Sequence, residues 1–235
     1  LYQERGHCYV AMRDASRAIE NFRRAVSINP TLSASFDMLA GLYRLTGQAE
    51  AMTWATREAA ALKTLPPPVI AATDLFAEGE LVAAEKLVRA FLLSHGDHPE
   101  GMRLLARIGL AQGVPEDAEI LLVAVLERVP DYIAARHDYA CVLLERHKYL
   151  AAREQLEMLL AKDPANRVFR TLHTSTTVGL GRHEDALREY RALVDEGGAE
   201  GNDLAELHLS IAHSLKTLGR REEAIEAYRT AAAVR

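Results

Sequence analysis

The stretch that decides the fold closes the chain: residues 207–235, LHLSIAHSLKTLGRREEAIEAYRTAAAVR. A small residue, Ala212, stands seven before Gly219; Ala224 follows five later, then Tyr228 and Ala231. The same ruler fits upstream. The small residue recurs as Gly6, Ala40, Ala72, Ala106, Ala140, Thr174 and Ala212, at steps of 34, 32, 34, 34, 34 and 38. A second position keeps phase as Ala18, Met52, Ala84, Ala118, Ala152, Ala186 and Ala224. Between the two lies a turn residue, Gly47, Gly79, Gly113, Gly181 or Gly219, replaced in two units by Arg13 and His147. Pro30, Pro130 and Pro164 close three units.

This spacing has the physics of a helix hairpin. Each unit holds two amphipathic stretches of about thirteen residues, a common helix length. Small residues at fixed places let the two backbones approach, and glycine supplies the positive φ that ends the first helix. A larger side chain four places after the second alanine (Phe22, Leu122, Leu156, Tyr190, Tyr228) fills the space beside it. One hairpin cannot bury its apolar face alone, so neighbours must stack into a solenoid. Composition agrees. Alanine and leucine supply 39 and 33 of the 235 residues and aromatics only 6%, a helical rather than a strand bias.

Seven phased units predict an all-α array over 1–235, divided near 1–32, 33–64, 65–98, 99–132, 133–166, 167–204 and 205–235, with incomplete first and last units. Three irregularities stand out. Met52 and Thr56 replace the alanine and larger residue of unit two, which predicts looser packing there. Leu65-Pro66-Pro67-Pro68 accounts for the 32-residue step and reads as a helix-initiating linker rather than a proline-rich ligand. The run from Glu196 to Asp203, with Gly197, Gly198 and Gly201, reads as a flexible loop behind the 38-residue step.

The pattern Arg5-Gly6…Tyr9…Ala18…Phe22…Pro30, repeated as Met102…Leu105-Ala106…Ala118…Leu122…Pro130, resembles the tetratricopeptide repeat (TPR). The resemblance covers the whole chain and implies a right-handed superhelix whose first helices line a concave groove. That groove implies protein or peptide binding by Gln3, His7, Asp37, Arg44, Thr73, Arg103, Arg107, His137, Cys141, Thr171, Ser175, His213 and Lys216. The carboxylate clamp with which some TPR domains hold acidic chaperone tails is missing: its places carry Gln3, His7 and Met38. The segments beginning at Leu92 and Leu207 also resemble the repeat region ahead of the sulfotransferase domain in bacterial TPR-sulfotransferase proteins. An alternative function follows: a substrate- or partner-recruiting arm whose catalytic domain lies beyond Arg235.

Chemistry is sparse. The sequence has no nucleotide-cradling glycine loop, no G-x-S-x-G elbow and no H-E-x-x-H helix, so neither catalysis nor a cofactor is expected. His137 and Cys141 are four apart on one face, a pair of donors without a third, so metal binding is not expected. His95 and His98 read as solvated turn residues, and Glu222-Glu223 as helix N-terminal acids favoured by the dipole. Arg103 and Arg107 share a face, with Glu100 as a local partner. A net charge of −5 without a basic stretch disfavours nucleic acid, and no apolar run reaches membrane-spanning length. Cys8 and Cys141 offer no disulfide framework, which fits reduced thiols in the cytoplasm. The chain opens at Leu1 without a leader pattern or a Met, as a piece cut from a longer array would. The last helix keeps Ala224, Ile225, Tyr228, Ala231 and Ala232 with no following unit, so self-association through the ends is a further expectation.

Overall fold

The computed structural model describes residues 1–199 and 201–234, and fourteen α-helices form among the described residues. α1 (Tyr2–Ala11) packs with α2 (Ala15–Ile28), α3 (Ser33–Leu45) with α4 (Ala49–Leu62), and α5 (Pro67–Ala77) with α6 (Leu81–His95); α7 (Pro99–Ala111) and α8 (Pro115–Arg128) come next in the chain. Then follow α9 (Ile133–Glu145) with α10 (Tyr149–Lys162), α11 (Arg167–Gly179) with α12 (His183–Asp195), and α13 (Gly201–Thr217) with α14 (Arg221–Val234). The chain divides into two compact units at the turn after Gly113, so α1–α7 form the first and α8–α14 the second.

Local chemistry sets the helix ends. Asp14 and Asn166 cap α2 and α11 by accepting the amides of Arg17 (3.0 Å) and Phe169 (3.2 Å). Pro67, Pro99 and Pro115 occupy first helical positions, where a missing N–H costs nothing. Pro67 confirms the proline run as a helix start. The turn glycines all have positive φ, from 73° at Gly47 to 85° at Gly79, and the two substitutes follow them, with φ of 59° at Arg13 and 56° at His147. Pro30, Pro130 and Pro164 lie in the turns between units.

The second helices carry a repeated core. Ala18, Ala84, Ala118, Ala152 and Ala186 are fully buried; so are Phe22, Val88, Leu122 and Leu156 four places on. A third layer, three places later, is buried too: Ala25, Phe91, Val125, Leu159, Leu193 and Ala231. Burying one such leucine contributes about 1.5–3 kcal/mol. In the first unit, Phe22, Phe36, Leu39, Tyr43, Ala55 and Ala59 form one cluster. In the second, Leu187, Tyr190, Leu193, Leu207, Ile211 and Leu215 form another.

The second repeat, α3 with α4 in the first compact unit, departs as its sequence foretells. Thr56 is exposed and Met52 only half-buried, so α4 buries just Ala55 and Ala59. Trp54 sits at the edge of this helix and meets the Phe36 ring edge-on at 5.6 Å. The run 196–203 differs from its expectation. Its last three residues belong to α13, and the described part of the connection is tied down from α11. Arg170 pairs with Glu196 (2.5 and 2.7 Å), while the Arg167 guanidinium donates to the carbonyls of Leu193 and Gly197. Charge-assisted bonds of this kind oppose the freedom that glycine content alone predicts.

Candidate functional site

Within each unit, first helices are neighbours: α5 packs beside α7, and α9 beside α11. Their helical periodicity turns one set of positions away from the core, and most of the predicted binding residues lie there. His7, Asp37, Arg44, His213 and Lys216 are exposed; Gln3, Arg103, Arg107, His137, Cys141, Thr171 and Ser175 are half-buried. Thr73 is the departure. It is buried, and its hydroxyl donates to the Val69 carbonyl at 2.8 Å, which leaves it little to offer a partner. His7 and His213 rest edge-on against Phe22 (5.1 Å) and Tyr228 (5.6 Å), each bridging the two helices of its hairpin.

Arg103 and Arg107, one turn apart in the first unit, both hold local partners. Arg103 donates to Glu100 at 3.0 Å, and the Arg107 guanidinium lies 4.8 Å from the centre of the Phe76 ring. Neighbouring positive charges are thereby accommodated without a bound anion. In the second unit His137 is held on both ring nitrogens. Nδ1 faces Asp138 at 3.3 Å and Nε2 faces the Cys141 sulfur at 3.8 Å, with the ring tilted against Phe169. The hydrogen bond to Asp138, then that to Cys141, pushes the imidazole up to about 9, against the opposing effect of burial. No group of three or more His, Cys, Asp or Glu among the described residues is placed to hold a metal ion.

Thr171 and Ser175 open onto a feature that the repeat pattern only half announces. Between α11 and α13 lies a cleft of about 370 Å³, lined by Arg167, Val168, Leu172, Asp203, Glu206, Leu207 and Ser210 as well as those two hydroxyls. The 38-residue step lies between these two helices. At the inner wall Ser175 shares a 3.0 Å hydrogen bond with the Tyr190 hydroxyl, and burial raises that phenol above its ordinary value. The carboxylates of Asp203 and Glu206 were missed by sequence reasoning, which placed Asp203 in a loop; the step of 38 was the signal that could have found them.

Two histidines are corrected. His95 ends α6, stacked on Phe91 at 4.4 Å, and His98 caps α7 by accepting the Gly101 amide at 3.4 Å. Neither is a merely solvated turn residue, because Phe91 draws both rings onto its surface. Glu222 and Glu223 do occupy the first turn of α14. The apolar stripe of α14 is mostly used by its own hairpin: Ala224 and Ala231 are buried, leaving Ile225 and Ala232 outward. Among the described residues no helix is long and apolar enough to cross a membrane.

Two family models, each described as tetratricopeptide repeat, match residues 1–32 and 205–235 in one case and 71–133 in the other, together more than half of the chain. No curated protein sequence matches. Solved structures do. A tetratricopeptide repeat protein from Parabacteroides merdae aligns over 99% of this chain and 91% of its own, with a TM-score of 0.58 and 16% identity. MamA from Desulfovibrio magneticus aligns over 73% of this chain and 97% of its own (TM-score 0.60, 16% identity). A thermophilic TPR protein in Thermus thermophilus aligns over 71% and 89% respectively (TM-score 0.57, 18% identity). At these identities the likeness is one of fold.

Proposed function

This chain belongs to the tetratricopeptide-repeat family, and we propose that it is a non-catalytic scaffold binding a protein or peptide segment along the groove face of its first helices. The observation that carries the reading is the side-by-side placement of first helices with polar side chains turned away from the core. Arg103 and Arg107 supply that face in the first unit; His137, Cys141, Thr171 and Ser175 supply it in the second. Family membership supports interaction as the activity, because such arrays build extended surfaces from neighbouring repeats. Two free thiols, Cys8 and Cys141, support a cytoplasmic setting.

A peptide array probed with the full chain tests the groove. Bound peptides are expected to lose most of their signal with the Arg103→Glu/Arg107→Glu variant, since charge reversal at a contact surface costs affinity. Retention of every peptide by that variant, and by Thr171→Lys, would remove the groove from the account. The recruiting-arm alternative rests on the likeness of the Leu92 and Leu207 segments to sulfotransferase-linked repeats, and the sequence encoded after Arg235 decides it. Self-association through the ends rests on Ile225, 51% exposed, and is tested by the mass in solution as concentration rises.

A further inference from the structure

We propose that the cleft between α11 and α13 receives a lysine or arginine side chain from the bound segment. This rests on the reading of the first-helix face as the binding face and adds the chemistry of one subsite. The cleft has an apolar floor in Val168, Leu172 and Leu207, which suits the methylene stem of a long basic side chain. Asp203 and Glu206 stand on the α13 wall, and neither forms an ion pair among the described residues. Asp203 lies in the first turn of α13, where the helix dipole alone favours a carboxylate. Glu206 lies one turn further on, and both carboxylates are exposed at the mouth of the cleft.

The opposite wall carries a single positive charge against these two negative ones. Arg167 is the one basic residue lining the cleft, and its guanidinium is committed to the carbonyls of Leu193 and Gly197. Hydroxyls complete the lining: Ser175 shares a hydrogen bond with the Tyr190 hydroxyl, and Ser210 donates to the Glu206 carbonyl at 2.9 Å, with Thr171 beside them. A volume of about 370 Å³ holds one long side chain and the backbone that carries it. Two carboxylates facing an open apolar slot select a cation with an aliphatic stem and reject an acidic tail by like-charge repulsion.

The test selects a phage-displayed random dodecapeptide library on the full chain, then measures the enriched synthetic peptides by fluorescence polarisation. Enriched peptides are expected to share a lysine or arginine whose replacement by norleucine weakens binding about ten-fold or more. The Asp203→Asn/Glu206→Gln double variant is expected to weaken the same peptides comparably and to flatten their salt dependence. Glu206→Gln alone, outside the first turn, covers the case in which the double variant folds poorly by circular dichroism. Enriched peptides without a required basic residue, or indifferent to both variants while sensitive to Arg103→Glu/Arg107→Glu, would overturn the subsite and leave the groove standing. Failure of the library to enrich any sequence would contradict both.

Discussion

Arg13 and His147 sit at the hairpin turns with left-handed backbones, at the two places where the repeat lacks its glycine. An L-residue pays roughly 1–2 kcal/mol for that conformation, partly offset because glycine is more disordered when unfolded. Arg13→Gly is therefore expected to raise stability by about 0.5–1 kcal/mol in urea titration, since the Arg13 side chain is exposed. Glycines inside helices divide the other way. A Cβ at Gly179 would come within 2.3 Å of the Tyr149 ring, whereas one at Gly41 would meet open space. Gly179→Ala should cost about 1–3 kcal/mol by overpacking, and Gly41→Ala should gain about 0.5–1 kcal/mol from helix propensity. His137 gives the pH dependence. Its ordinary value of 6.5 rises to about 9 in the fold, so its contribution is complete below pH 6.5 and disappears as pH climbs through 9. Urea midpoints should favour the parent over His137→Gln at pH 6 and converge by about pH 9.5.

Among elements, the second helices follow one rule: alanine, then a larger residue at four, then a third buried residue at seven. Leu156 obeys it and is fully buried; Thr56 stands at the same register in α4 and is exposed. Leu156→Ala should cost about 2–5 kcal/mol, while Thr56→Ala should change stability by less than about 0.5 kcal/mol. This contrast marks what the sequence could convey. The Met52–Thr56 lapse announces that α4 lacks its usual anchors, because periodicity reports which residues can face a core. It does not announce that Ala55 and Ala59 take over, since that choice is made by α3 packing against them. In the connection 196–199 glycine content describes the chain's freedom, while the contacts that hold it come from Arg167 and Arg170, some thirty positions earlier, which no local pattern announces.

For the whole molecule, the turn pattern makes the succession of helices legible among the described residues, down to the two non-glycine turns. The candidate site is legible only as a face. Arg107 is turned by a tertiary partner, the Phe76 ring, and Thr73 by a bond to the Val69 carbonyl one turn back in its own helix; the apolar period encodes neither. The α11–α13 cleft joins side chains of two helices distant in sequence, a pairing that no apolar period specifies. The central claim is that first helices carry the partner. Hydrogen exchange of the full chain, with and without its tightest array peptide, tests this most directly. Slowed exchange concentrated in first helices such as α7, α9, α11 and α13, with the second helices unchanged, is the predicted result. Protection confined to the second helices, or none at saturating peptide, would contradict the account.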